Sequence, residues 1–70
     1  MKNVIYVVHI DAVSEDFNTL SNDDIKELYT KEPELVLRYD NIYDFANDWN
    51  NNYENMYYPD DSYIRIIEEE

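Results

Sequence analysis

Seventy residues make one small domain, and a chain of this size buries only about 60% of its unfolded surface. Seventeen acids against five bases give a net charge of −12. That charge excludes direct binding to nucleic acid, where Lys and Arg must neutralise phosphate, and excludes anionic membrane surfaces on the same ground.

Cysteine and glycine are both absent. Disulfides and Cys-containing zinc sites are therefore excluded. So are phosphate-cradling loops and dinucleotide fingerprints, which need Gly where the backbone approaches phosphate. A hydrophobic content of 44% and eight tyrosines point to a folded acidic domain rather than a disordered one.

Val4-Ile5-Tyr6-Val7-Val8-His9-Ile10 is β-branched and nearly continuous, the pattern of a central strand buried on both faces. The run is too short to span a membrane and lacks a small-residue cleavage site, so a cytoplasmic location is expected. His9 shares a face with Ile5 and Val7 and has no catalytic partner nearby in sequence. Residues 11–20 form a connection with two apolar anchors, Phe17 and Leu20. Ser21-Asn22-Asp23-Asp24 then matches a capping box with Asp in place of the usual Glu.

The spacing predicts a helix from about Asn22 to Lys31, with Ile25, Leu28 and Tyr29 inward and Leu20 stapled onto Ile25. Glu27 and Lys31 form an i,i+4 pair, and Pro33 stops the helix. Glu34–Tyr39 reads as a second strand, with Leu35, Leu37 and Tyr39 on one face and Val36 and Arg38 on the other.

Ile42, Phe45, Ala46, Trp49 and Tyr53 make one apolar stripe at helical spacing, predicting a helix over 41–53 capped by Asp40 or Asn41. Phe45 and Trp49 are assigned to the core. Asp40, Asp44 and Asp48 recur every fourth residue on another face, a carboxylate ladder stepping about 6 Å per rung. Residues 54–61 follow as a tyrosine-rich acidic loop. Ser62–Ile67 is a third strand, and Glu68, Glu69 and Glu70 are expected to form an acidic tail after a single domain over 1–67.

The element order β-α-β-α-β predicts an α+β fold. Its three-stranded sheet is expected to be parallel or mixed, with both helices on one face.

No catalytic constellation emerges. Any nucleophile–histidine–acid arrangement would have to use His9, and seventeen acids give carboxylate pairs by chance. Asp48-x-Asn50-x-Asn52 opens like a calcium loop, but Tyr53 stands where that loop needs Gly and Pro59 where it needs Glu. The expectation is a non-enzymatic chain with no metal and no cofactor.

The sharper signal is charge. Residues 1–39 carry a net −4 and residues 40–70 a net −8. The acidic half also carries Trp49 and five tyrosines, of which Tyr57 and Tyr58 beside Pro59 are the candidate interface anchors. Duplex DNA presents one charge per about 1.7 Å of axis, so one ladder is too sparse to imitate it. Imitation would require Glu54, Asp60, Asp61 and the C-terminal glutamates to join Asp44 and Asp48 on one surface.

The segment Phe45-x3-Trp49-Asn50-x2-Tyr53-Glu54, with the acids and tyrosines to residue 61, is similar to the acidic helical part of small anti-CRISPR proteins. The similarity covers roughly a third of the chain, and Tyr63–Ile67 departs from it by reading as a strand. Such inhibitors occupy the DNA-reading site of an RNA-guided nuclease. The resemblance implies that Asp44, Asp48, Glu54, Asp60 and Asp61 meet a basic cleft, in a DNA-mimic protein of a phage or mobile element.

The leading expectation is an acidic protein that blocks a basic, nucleic-acid-binding partner. Two alternatives stay open. One is a general interaction module or regulator. The other is a small domain, stable as a homodimer, whose acidity serves solubility alone.

Overall fold

The computed structural model describes residues 2–51 and 62–69, with side chains in the second helix described through Asp48. Its elements are β1 (Lys2–His9), α1 (Asn22–Lys31), β2 (Val36–Tyr39), α2 (Ile42–Asn51) and β3 (Ser62–Glu69). Short 3-10 turns at Ile10–Ala12 and Phe17–Thr19 break the first connection.

The strands form one sheet in the order β2-β1-β3, with β1 central as its apolar run requires. Both neighbours run antiparallel to β1, which corrects the parallel or mixed sheet expected from the element order. The path of α1 gives the physical reason. Its first residue, Asn22, accepts a hydrogen bond from Arg65 of β3 at 3.0 Å, and Tyr29, two turns later, packs edge-on to Tyr6 of β1. The helix thus carries the chain across the sheet instead of back along it. Leu35 then arrives beside the end of β1, where its carbonyl accepts from the His9 amide at 2.8 Å. A strand starting where its neighbour ends must run the other way.

The helices lie on opposite faces of the sheet, a second correction. Alternation sends Val4, Tyr6 and Val8 to one face of β1 and Ile5 and Val7 to the other. On the first face Val4, Tyr6 and Val8 join Phe17, Ile25, Val36 and Ile67 in the core cluster, with Leu20 and Leu28 packed against it. On the second face Ile5 pairs with Tyr39, and Phe45 of α2 packs edge-on to that ring at 5.6 Å.

Local signals in the sequence take the expected form. The Asp24 amide donates to Ser21 Oγ at 3.1 Å and the Ser21 amide to Asp24 Oδ2 at 2.9 Å, completing the capping box. Lys31 Nζ lies 2.8 Å from Glu27.

Phe17 is buried, stacked on Tyr63 at 4.7 Å, with the Arg65 guanidinium 4.8 Å from its ring centre. Arg65 also donates to the Phe17 carbonyl, which fixes the connection onto β3. β3 continues to Glu69, so Glu68 and Glu69 belong to the sheet and not to a tail.

Candidate partner-binding surface

The acidic ladder begins at the end of β2. Asp40 does not stand as a free rung. Arg38, two residues earlier on the strand, donates to its carboxylate, and Lys2 lies 3.5 Å from it. The hydrogen bond and charge of Arg38, with the charge of Lys2, hold the Asp40 carboxyl below its ordinary value.

Asn41 caps α2: its Oδ1 accepts from the Asp44 amide at 2.9 Å, while its Nδ2 donates to Asp44 Oδ2 at 3.0 Å. Asp44 is therefore exposed but held at the helix entrance, where a carboxylate also suits the positive end of the helix. Asp48 is half-buried and has a partner of its own. Of the expected binding residues, these two are described. Glu54, Tyr57, Tyr58, Asp60 and Asp61 lie outside the described residues, as does the side chain of Trp49.

Beside the ladder lies an apolar strip that the helical stripe did not foretell. Ile42, the first residue of the apolar stripe, is 54% exposed, and Tyr43 is 82% exposed. With Ile5 and Ile66 they line a groove of about 250 Å³, flanked by Lys2 and Asp40. Ile42 is the first residue of its helix, where the chain is still leaving the sheet, so its stripe position does not bring it to the core. Tyr43 falls off the stripe, and that offset was a signal of its exposure.

All five basic side chains are engaged within the fold. Arg38 is the hub: its Nε donates to the Tyr6 hydroxyl at 3.3 Å, and its two terminal nitrogens reach Asp40 and Glu69. The Tyr6 hydrogen bond and the Asp40 carboxylate raise the Arg38 pKa above its ordinary value, outweighing the desolvation that opposes them. Lys26 approaches Glu69 at 3.9 Å, and Lys2 approaches Asp40. Lys31 is paired with Glu27, whose hydrogen bond and charge raise the ammonium pKa. Arg65 is bound to Asn22 and the Phe17 carbonyl.

Sequence reasoning missed this arrangement apart from the Glu27–Lys31 pair. Its one legible trace is Arg38-x-Asp40, an opposite-charge pair at the two-residue spacing that shares a strand face.

On the opposite face of the sheet, a groove of about 230 Å³ runs between residues 12–15 and α1. Ala12, Val13, Leu20 and Leu28 line it together with Glu15, Asp24 and Glu27. Among the described residues no three side chains converge to hold a metal ion, and no helix is long and apolar enough to cross a membrane. No family model, curated protein or solved structure matches the chain.

Proposed function

We propose that the chain is a non-enzymatic inhibitor. It binds the basic surface of a nucleic-acid-binding protein in the cytoplasm and excludes the nucleic acid, as an anti-defence protein of a phage or mobile element would. The observation that supports this reading most is the engagement of all five bases in contacts inside the fold. None of the five bases is then left without a partner inside the fold, in a chain whose net charge is −12. Fields of this kind raise the rate of encounter with basic clefts.

The contact is assigned to Asp44 and Asp48 on α2, with Glu54, Asp60 and Asp61 adding charge and Tyr57 and Tyr58 anchoring. Exposed Tyr43 lies on the same helix as the first two. Asp44→Lys with Asp48→Lys should slow association, and Tyr57→Ala with Tyr58→Ala should speed dissociation.

The test immobilises the chain, captures proteins from a host extract, and challenges the captured set with duplex DNA. A partner held through a phosphate-imitating surface is released by the DNA. A captured set that stays bound and takes up DNA as well contradicts the proposal.

A further inference from the structure

Among the described residues, β3 forms one outer edge of the sheet. The His9 amide donates to Leu35, so odd-numbered residues of β1 turn their N–H and C=O groups toward β2, and even-numbered residues turn theirs toward β3. Val4, Tyr6 and Val8 stand opposite Ile67, Arg65 and Tyr63. Those three β3 residues therefore direct their backbone groups inward, and Ser62, Ile64, Ile66 and Glu68 direct theirs out of the sheet. Among the described residues no strand pairs with that edge.

Edge strands are ordinarily protected by lysine, proline, a bulge or shortness. β3 is eight residues long and contains neither lysine nor proline. Its one base, Arg65, turns to the opposite face and is held over Phe17. Ile64 and Ile66, which face the α2 side, are instead 45% and 55% exposed.

We infer that a second copy of this chain is the partner of this edge, in an antiparallel β3–β3 dimer that extends the sheet from three strands to six. A two-fold axis normal to the sheet keeps each face continuous, so directly opposed residues must come from the same face. With the axis at Arg65, Ile64 of each copy stands opposite Ile66 of the other, exchanging both backbone hydrogen bonds, and Ser62 stands opposite Glu68. Four isoleucines then meet on one face, beside the exposed Ile42 and Tyr43 of each copy. Moving the axis to Ile66 would set Ile64 against Glu68. Moving it to Ile64 would set Ile66 against Ser62.

Arg65 meets its counterpart across the axis, but each guanidinium is bound to Asn22 and Phe17 of its own copy. The opposing term is the net charge of −12 on each copy, which salt screens. Salt therefore strengthens this association, the opposite of its effect on an acidic protein bound to a basic partner.

Sedimentation velocity over a wide concentration range, at low and high salt, tests the inference. The chain should pass from monomer to dimer as concentration and salt rise. Ile66→Lys and Ile64→Lys, both at exposed positions, should each weaken dimerisation about tenfold or more, because the two-fold axis doubles every substitution. Circular dichroism should remain unchanged in both. Register is tested in the cysteine-free background: Ile64→Cys mixed with Ile66→Cys should form an intermolecular disulfide that neither variant forms alone. A monomer under all conditions, a dimer indifferent to Ile66→Lys, growth beyond the dimer, or no excess of the mixed disulfide would each overturn the proposal.

Discussion

Arg38 of β2 and Glu69 of β3 meet across the central strand, Nη2 to Oε2 at 3.3 Å, although β1 separates their strands. Both side chains are largely withdrawn from water, at 25% and 21% exposure, and Lys26 of α1 reaches the same carboxylate. The two contacts tie both outer strands and one helix together in a fold whose apolar core is small. Arg38→Met should destabilise the chain by about 1–2 kcal/mol, the scale of a charged hydrogen bond at a partly buried site. Arg38→Lys should restore only part of this, since one ammonium cannot reach Tyr6, Asp40 and Glu69 in the guanidinium geometry. Urea unfolding of the three proteins is the check, and equal midpoints would show that the bridge contributes nothing.

Phe17 carries the connection between β1 and α1. Phe17→Ala removes a buried ring together with its stacking on Tyr63 and the seat of Arg65, and should cost about 3–5 kcal/mol. Ile42→Ala, at an exposed position, should change stability by no more than about 0.5 kcal/mol. Thermal unfolding of both variants distinguishes the buried anchor from the exposed apolar strip.

The capping box gives a smaller, separable effect. Ser21→Ala removes the acceptor of the Asp24 amide and should cost about 1 kcal/mol. Hydrogen exchange should quicken most in the first turn of α1, and uniform quickening through the helix would contradict a local role.

Acid should act through Asp40. Its pKa is depressed in the folded state, from an ordinary value near 3.8. The stability it contributes is therefore complete above that value and lost as pH falls through the lower folded value. Asp40→Asn should be less stable than the parent near neutral pH, and the two should converge as pH falls below the lowered folded value of Asp40. A difference that stays constant across the acid range would show that the ion pair is not its source.

The elements themselves were legible because each rests on local chemistry: the β-branched run of β1, the Ser21 cap and the alternation in β2. Their arrangement was not, because strand direction depends on where α1 delivers the chain. That is set by long-range contacts of Asn22 with Arg65 and of Tyr29 with Tyr6. β2 and β3 do run parallel to each other, with α2 between them in sequence, so the crossover logic holds for that pair. It fails to foresee β1 inserted between them.

The candidate surface was legible in part. Helical spacing placed Asp44 and Asp48 on one helix, but showed neither the pairing of Asp44 with Asn41 nor that of Asp40 with Arg38. Glu69 was unreadable as a strand residue, because three successive glutamates resemble a solvated tail.

The proposed inhibition requires that this acidic chain and nucleic acid compete for one basic surface. The most direct measurement follows fluorescently labelled duplex DNA on a guide-loaded RNA-guided nuclease, the partner class that the resemblance of residues 45–61 would imply, during titration with the chain at two salt concentrations. The DNA should be displaced, and displacement should weaken at the higher salt, as contacts between carboxylates and Lys or Arg are screened. A ternary complex holding nuclease, DNA and the chain together, or DNA occupancy unchanged at either salt, would contradict it.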